Sequence, residues 1–434
     1  MFSYLSLIYG KDKAAPVLSG IETLLRRRGR IEAPACSLSE RSVLLASGPV
    51  PKALAGLVEG VPLDVEVNSV PPSHPWFQRC LKDDPECAAL FIRCDPYGDA
   101  GERSLTPFVT PSGQRWYRTT GASVDLDYRH PQVLLSMLDL LLSQQAPVLR
   151  LLHASRLWGG THLPETHALV RVMRAVLEAA RPGTLVAVDV DDSPAEEAAY
   201  LGNGDEAHLI HGWPFALLAG HAILSGDARA LSRWVQELPS PPNRCARLFS
   251  TSGELPLRHV RGLLPESGQD MLLEAAKSHG GSVAPGGVVR SAFMDLISAL
   301  GDPDPVAAKK FLLSQAMLLA MPGVPLLSPQ GLLGSRNNQK AVPVFEGCRR
   351  MLAVRVREPG FSPLGPFRVL DLDRTVFALE RHPHLLAAHN VDSVAVRIRL
   401  KGKGRLKDLL SGETLPADRP LELGPYEFRW LKPL

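Results

Sequence analysis

The sequence predicts an α/β protein built on a (β/α)8 barrel, the TIM-barrel fold, followed by a smaller antiparallel β domain. The middle of the chain alternates short apolar runs with longer amphipathic ones, which is typical of a parallel sheet covered by helices. The length of 434 residues suits a barrel with one satellite domain. Beyond Gly360 the helical pattern stops and only short strand-like runs remain, which indicates the β domain.

The barrel elements follow one another with short breaks. The run VLRLL at 148–152 is a compact buried-strand pattern. The stretch 164–180 begins at a proline and repeats apolar residues at steps of three and four, so it is predicted to be a helix that ends before Pro182 and Gly183. The other predicted strands are 43–46, 184–190, 247–250 and 323–327, and the other predicted helices are 133–142, 215–224, 230–238, 269–278 and 306–320.

Two regions lie outside this repeat. Residues 71–127 are rich in proline, aromatic and polar residues and show little periodicity, which predicts an inserted loop subdomain. Strand-like runs follow Gly360 at 367–372, 375–380, 385–390, 394–400 and 426–431. Basic residues alternate along part of this region, which is typical of a strand face exposed to solvent. The alternative is a binding site for an anion or a polymer. The basic residues are Arg397, Arg399, Lys401, Lys403, Arg405 and Lys407. The predicted division is a shortened barrel start at 1–70, the inserted loop subdomain at 71–127, the rest of the barrel at 128–359 and a C-terminal β-sandwich at 360–434.

The composition excludes several classes of function. A net charge of +3 over this length gives no reason to expect a nucleic acid or an anionic membrane as partner. The six cysteines have no CxxC spacing, which predicts reduced and mostly buried thiols. The N-terminus lacks a basic segment and a cleavage site, and no run of about 18 apolar residues occurs, so we expect a cytoplasmic protein.

Four stretches carry motifs: SVDLDYRHPQVLLSMLDLLL (123–142), RLLHASRLWGGTHLPETH (150–167), EEAAYLGNGDEAH (196–208) and FLLSQAMLLAMPGVPLLSPQGLLGSRN (311–337). They resemble the α-amylase superfamily of retaining glycosidases (glycoside hydrolase family 13), specifically its sucrose phosphorylase and glucosylglycerate phosphorylase branch. The resemblance implies a barrel whose active site lies at the carboxyl ends of the strands. It also implies retaining chemistry on α-glucosides, for which a nucleophilic carboxylate and an acid/base carboxyl group are required, assisted by a third carboxylate.

The resemblance places Leu152 at the position of the nucleophile. The family motif is Arg-x-Asp at the end of the fourth strand, and the matching segment here is Arg150-Leu151-Leu152. Leucine can neither attack a sugar nor accept a proton. His153 is adjacent, but neighbours on a strand point to opposite faces, so we expect a packed or capping histidine there.

The acid/base position implied by the resemblance is Asp189, in VAVDVDDSP. Aspartate is ionisable but one methylene shorter than the glutamate of the family, which withdraws the proton donor by more than about 1 Å; an error of about that size can cost roughly 100-fold in rate. Asp191 and Asp192 predict a solvated loop that caps the following helix, with a metal site as the alternative.

The resemblance places Gly253 at the position of the third carboxylate, after Ser252, with Glu254 as a displaced substitute. The third-strand motif is represented by DVEVNS, in which the sugar-binding histidine of the family is Ser69. The vestigial substrate-binding residues are therefore Arg150, Asp189, Asp64 and Asn68.

Few residues separate the first predicted strand at 43–46 from DVEVNS, so the second strand and its helix are largely lost. The barrel is therefore predicted to be incomplete. An exposed sheet edge is usually paired or covered, so we expect the gap to be plugged by residues 71–127 or closed by a homodimer.

The combined loss of carboxylates predicts a pseudoenzyme without hydrolase or phosphorylase activity, because removing one member of a catalytic set can cost as much as removing all of them. Such a protein would bind a small sugar or sugar phosphate, or regulate or pair with an active family member. The alternative is a low-activity or repurposed glycosyl-transferring enzyme that uses Asp189. No cofactor, metal, nucleic acid or membrane partner is expected.

Overall fold

The computed structural model describes residues 1–32, 36, 38, 43–45, 52–95, 104–190, 192–238, 245–251, 254–298, 302, 304–328, 341–382, 384–400 and 404–434. The chain forms two compact units. The first comprises Met1–Cys36 and Pro62–Ile210, and the second comprises Ser37–Val61 and His211–Leu434. The four-part domain division stays a prediction.

The α-helices in these ranges are α1 (Phe2–Tyr9), α2 (Lys11–Arg28), α3 (Pro75–Cys80), α4 (Pro85–Ala88), α5 (Pro131–Ser143), α6 (Pro164–Ala180), α7 (Pro194–Ala199), α8 (Pro214–Ser225), α9 (Arg229–Gln236), α10 (Glu266–Ser278), α11 (Phe293–Ile297), α12 (Asp304–Ala320) and α13 (Ala341–Arg355). The strands are β1 (Leu44–Leu45), β2 (Leu63–Glu66), β3 (Ser69–Val70), β4 (Ser104–Thr110), β5 (Gly113–Thr120), β6 (Ser123–Asp125), β7 (Val148–Leu152), β8 (Leu185–Val188), β9 (Leu209–His211), β10 (Ala246–Phe249), β11 (Leu255–Pro256), β12 (Ser282–Ala284), β13 (Val288–Arg290), β14 (Val324–Leu327), β15 (Phe367–Leu370), β16 (Val376–Arg381), β17 (Leu385–Asn390), β18 (Val396–Ile398), β19 (Arg405–Asp408), β20 (Thr414–Pro416), β21 (Leu421–Leu423) and β22 (Phe428–Pro433).

The first unit is built on parallel strands in the order β9-β8-β7-β2. Strands β7 and β8 are joined through α6, the βαβ connection that the sequence predicts. Helix α6 begins at Pro164, buries an apolar stripe that includes Leu169, Met173 and Leu177, and ends at Ala180. The predicted bounds of β7 and α6 are confirmed residue for residue.

The region predicted to be an inserted loop subdomain is an ordered layer within the first unit. It holds an antiparallel sheet in the order β3-β6-β5-β4, together with α3 and α4. The ring of Phe77 packs edge-on against Phe91, Phe108 and Tyr117 with centroids 4.8–5.2 Å apart, which gives this layer its own core. The sequence pattern missed the β4–β5 hairpin because Pro107 lies in the edge strand β4, where a missing N–H is tolerated.

The second unit contributes parallel strands in the order β1-β14-β10. The described ranges hold seven parallel strands of the barrel sheet, and the loss of one βα unit stays a prediction. Leu44 of β1 forms a parallel bridge with Gly60, and the N–H of Glu59 donates to the carbonyl of Val43 at 2.9 Å. The chain that leads into β2 therefore pairs with the edge of β1. A homodimer across the gap stays a prediction.

The C-terminal part of the second unit is an antiparallel β domain, as predicted. One sheet has the order β15-β16-β17-β22-β19-β20, and β18 pairs with β21. Of the alternating basic residues, Arg397 is exposed and pairs with Glu422 at 2.9 Å, as in a solvated face, whereas Lys401 and Lys403 lie outside the described residues. Among the described residues, no helix has the length and apolar character needed to cross a membrane.

Candidate functional site at the strand ends of the first unit

Polar side chains meet where β2, β7 and β8 end. In the parallel register of β2 and β7, Asp64 lies beside Arg150 and Glu66 lies beside Leu152. Asp189 directly follows β8, and its N–H donates to the carbonyl of Leu151 at 3.0 Å. Parallel strands end at one edge of a sheet, so these residues share the edge where barrel enzymes place their chemistry.

Arg150 and Asp64 form a two-pronged ion pair. The Nε and Nη2 atoms of Arg150 donate to Oδ1 and Oδ2 of Asp64, both at 2.6 Å. Burial disfavours the charged guanidinium, but the hydrogen bonds to Asp64 and the charges of Asp64 and Asp189 raise the pKa of Arg150 above its ordinary value. The fixed fork of an arginine gives this arrangement its precise orientation. The structure thus brings two of the sequence-predicted site residues into direct contact.

Leu152, at the implied nucleophile position, is half-buried at the end of β7. A hydrocarbon side chain supplies no lone pair, so no ester with a sugar can form at this position. Chemistry at this edge must therefore come from other side chains.

The expectation for His153 is wrong. It assumed that the strand continues, which would turn the ring to the opposite face from Leu152. Strand β7 instead ends at Leu152, and His153 has left-handed backbone angles, φ 54° and ψ 27°. This turn brings Nδ1 of the ring to 2.7 Å from Oε2 of Glu66.

Glu66 is the site residue that the sequence reasoning missed. Its Oε1 accepts the backbone N–H groups of Asn68 and Ser69 at 2.8 and 3.2 Å, while Oε2 meets His153. The signal was present in DVEVNS, because residues two apart on a strand share a face and Glu66 stands two positions after Asp64. Glu66 has no counterpart in the family motif, so the motif could not point to it.

The electrostatic surroundings favour the charged form of His153. The hydrogen bond to Glu66 raises the pKa of the ring above its ordinary value, whereas burial acts in the opposite direction. The charges of Glu66 and Asp189 raise this pKa further, and Arg156 lowers it. Asp189 is therefore near enough to His153 for their charges to interact.

The inserted layer holds the loop that carries His153. Asn68, fully buried, donates from Nδ2 to the hydroxyl of Thr120 at 3.1 Å. Arg118 forms a buried ion pair with Asp125 and donates from Nη2 to the carbonyl of Arg156 at 3.0 Å. These contacts fix the chain on both sides of the Glu66–His153 pair.

A second polar cluster lies near the start of α7. One ligand atom each from His162, Asp192 and Glu196 lie within 4.8 Å of one another, a set that could hold a cation. Protein partners already account for the arrangement, because His162 Nε2 is 2.8 Å from Asp192 and Glu196 accepts the Ser193 hydroxyl at 2.6 Å in a capping box. The predicted capping role of this loop is carried by Ser193 and Glu196, and Asp191 lies outside the described residues.

The remaining predicted position belongs to the second unit. Gly253 and Ser252 lie outside the described residues. Glu254, the suggested substitute, is exposed and paired with Arg290 at 2.7 Å. The carboxylate of Glu254 is therefore already paired with an arginine of its own unit.

Comparison with known proteins identifies the family of the chain. No model of a protein family matches it. It is 30% identical over 448 residues to a glucosylglycerate phosphorylase from Spirochaeta thermophila, a match that covers 86% of this chain and 76% of that protein. The chain belongs to the glucosylglycerate phosphorylase family. Two further glucosylglycerate phosphorylases are similar: one from Escherichia coli, 31% identical over 64% of this chain and 55% of that protein, and one from Allomeiothermus silvanus, 29% identical over 71% and 66%. The chain thus spans less than two thirds of the length of these two relatives.

Solved structures confirm the barrel fold. The sucrose 6F-phosphate phosphorylase from Thermoanaerobacter thermosaccharolyticum matches with a TM-score of 0.63 and 14% identity, over 89% of this chain and 90% of that one. An α-amylase from H. orenii matches with a TM-score of 0.64 and 13% identity, over 86% and 80%. The fold and the branch expected from the sequence motifs are therefore both confirmed.

Family membership corrects the functional prediction. The sequence analysis took the chain to be a pseudoenzyme, and that main interpretation is wrong: relatives that match most of the chain are glycoside phosphorylases, which supports the alternative of a glycosyl-transferring enzyme. The error came from treating the family positions as the whole of the chemistry. The Glu66–His153 pair adds ionisable groups at this strand edge that the motif comparison did not weigh.

Proposed function

We propose that this chain is a low-activity glycosyl-transferring enzyme of the glycoside phosphorylase type, acting on α-glucosides with Asp189 as proton donor. The observation that carries the proposal is the position of Asp189, which follows β8 and is tied to β7 through the carbonyl of Leu151. It stands at the strand edge where barrel enzymes hold their reacting groups. Family membership supplies the substrate class.

The chemistry asked of Asp189 is protonation of the leaving oxygen. A positioned carboxylic acid contributes about 100- to 10,000-fold to such a step. The side chain is half-buried, and Asp189 interacts electrostatically with Arg150 and His153. Its reach is one methylene shorter than that of glutamate, so we expect slow turnover.

The substrate proposed is glucosylglycerate, with inorganic phosphate as acceptor, because three similar proteins are glucosylglycerate phosphorylases. The forward assay supplies glucosylglycerate and phosphate and measures glucose 1-phosphate. The reverse assay supplies α-glucose 1-phosphate and glycerate and measures released phosphate.

Asp189→Ala is expected to lower turnover by at least about 100-fold, since it removes the proton donor. Asp192→Asn is the matched control: it changes a carboxylate of the same loop that instead bonds to His162 and Ser193, and it should keep the activity. Turnover that survives in Asp189→Ala, or that never rises above a blank in either direction, contradicts the proposal.

A further inference from the structure

We propose that a cleft in the second unit is a binding site for a hexose phosphate. The cleft is lined by residues of helices α12 and α13 and of the β domain, and its volume is about 500 Å³. Small-molecule ligands usually occupy cavities of about 300–1,000 Å³. The lining residues are different from those that meet at the ends of β2, β7 and β8, so this site goes beyond the proposed function.

The helices contribute two cations to the cleft. Lys309 of α12 and Arg350 of α13 both line it, and both are exposed. Among the residues that the structure describes, neither has a hydrogen-bond or ion-pair partner, whereas the adjacent Lys310 and Arg349 are each paired with a carboxylate. Lysine and arginine side chains donate hydrogen bonds and accept none. Two unpaired cations in one cleft therefore favour a ligand with a negatively charged acceptor group.

The β domain contributes carboxylates that are held in place by an arginine. Arg429 donates to Glu413 and Glu427, each at 2.7 Å. It also donates to the buried carboxylate of Asp408 at 3.2 Å. The exposed Glu413 uses Oε2 for this contact, and its Oε1 has no partner in the described part of the chain. A carboxylate oxygen accepts a hydroxyl group but repels a phosphate, so the ligand should present hydroxyl groups to the β domain and its anion to the helices.

Apolar and aromatic side chains also line the cleft. Leu410, Tyr426 and Phe428 are all partly exposed there. The C–H groups on the faces of a sugar ring can cover such side chains and remove them from water, which inorganic phosphate cannot do. The body of the ligand should therefore be a ring with apolar faces.

The backbone at Tyr426 is a further, independent observation. Its φ is 55°, in the left-handed region that residues other than glycine and asparagine rarely adopt. The ammonium group of Lys310 lies 5.2 Å from the centre of the ring and helps to fix it. Strained backbone of this kind persists where its surroundings enforce it, and it is frequent at ligand sites. A tyrosine held in this conformation supports a binding role for its ring.

A hexose phosphate combines the three features that the lining requires. Its phosphate suits the two cations, its hydroxyl groups suit the carboxylate of Glu413, and its ring suits the apolar side chains. Inorganic phosphate lacks the ring and the hydroxyl-bearing carbons, and glucose lacks the anion. These two compounds therefore serve as partial ligands in the test.

The experiment measures how strongly glucose 6-phosphate protects Lys309 of the whole chain from an amine-acylating reagent, with mass spectrometry to locate the label. The reaction proposed above neither forms nor consumes this compound. At about three times its dissociation constant a ligand leaves about a quarter of the sites free, so the labelling rate of Lys309 should fall about fourfold. The exposed Lys277 of α10 does not line the cleft and should be labelled at an unchanged rate.

The partial ligands decide which compound class the cleft takes. Glucose and inorganic phosphate at the same concentration should each protect Lys309 much less than glucose 6-phosphate does. Equal protection by inorganic phosphate would show a simple anion site and overturn the assignment to a hexose phosphate. A labelling rate of Lys309 that does not change, or that falls together with that of Lys277, overturns the site. Neither result bears on the proposed function, because no turnover is measured.

Variants test the cation and the ring separately. Arg350→Gln should raise the concentration of glucose 6-phosphate needed for half-protection by about 2- to 5-fold, as expected for an exposed ion pair. Arg349→Gln is the matched control, because Arg349 is exposed, pairs with Glu346 and does not line the cleft. Tyr426→Gly removes the ring, suits the left-handed backbone, and should reduce the protection to that given by inorganic phosphate. Unchanged protection in both Arg350→Gln and Tyr426→Gly contradicts the proposal.

Discussion

At the scale of single residues, the backbone conformation of His153 decides which side chain lies next to Glu66 at the end of β7. Alternation along a strand predicts the wrong direction for this side chain, because alternation holds only while the strand continues. The motif comparison did identify Arg150 and Asp64, and the structure puts them in contact. Their role as substrate-binding residues stays a prediction. Glu66 could have been found by following the face of β2 that Asp64 occupies.

Leu152→Asp should restore a nucleophile to the vacant position. Its carboxylate would lie beside Glu66 in the β2–β7 register, where like charges repel, so we expect a lower melting temperature than that of the wild type. The first product that this variant releases from α-glucosyl fluoride should be α-glucose, as double displacement requires. Proton NMR of the variant checks this, with Leu152→Asn as the isosteric control. β-Glucose alone from the aspartate variant contradicts the expectation.

At the scale of elements, prediction succeeded where one physical signal dominated. Helix α6 has a proline start, a continuous apolar stripe and a break at Pro182, and strand β7 is uniformly apolar apart from Arg150. Helix α2 was missed because Pro16 lies inside it, where a proline ordinarily argues against a helix. Tertiary packing, which a local pattern does not contain, decided the elements of the inserted layer.

Buried guanidinium groups donate hydrogen bonds to the carbonyl groups at the C-terminal end of helix α12. Arg355 donates to the carbonyls of Leu319 and Gly323, and Arg381 donates to that of Ala320 at 2.9 Å; both arginines are fully buried. Arginine at a helix C-terminus satisfies carbonyls that have no partner within the helix and interacts well with the helix dipole.

Arg355→Leu should therefore lower the free energy of unfolding by about 2–5 kcal/mol, because it leaves two buried carbonyls without these donors. Chemical denaturation of the variant measures the change. The matched control is Arg350→Leu on the exposed side of the same helix, α13, where a change within about 0.5 kcal/mol is expected. Equal effects of the two substitutions would show that the buried hydrogen bonds do not anchor the helix.

At the scale of the whole molecule, the sequence was sufficient for fold and family but not for function. Repeated βα units and four motifs identified the barrel and its branch, since both depend on many residues at once. The functional interpretation depended on the three positions at which the family carries its catalytic carboxylates. A substitution at such a position shows that a carboxylate is missing, but it does not show which side chains the neighbouring strands bring to the same place. Only the spatial pairing of β2 with β7 brings Glu66 to His153.

The cysteines give a test of packing across both units. None of the six is in a disulfide, five are buried and Cys94 is partly exposed, as the sequence predicted for buried thiols. Burial raises the pKa of Cys348 to about 12, which further suppresses its reactive thiolate. A thiol reagent should modify one cysteine quickly in the native protein and all six after denaturation. Cys94→Ser should abolish the fast phase; two or more fast thiols in the native chain contradict the packing described.

The left-handed residue at the end of β7 also carries a cost in stability. Glycine adopts that conformation without steric penalty, so a chain under selection for stability alone would place glycine at this position. His153 is more costly there, and its ring returns a single hydrogen bond to Glu66. Directed evolution for thermal tolerance should therefore replace His153 early.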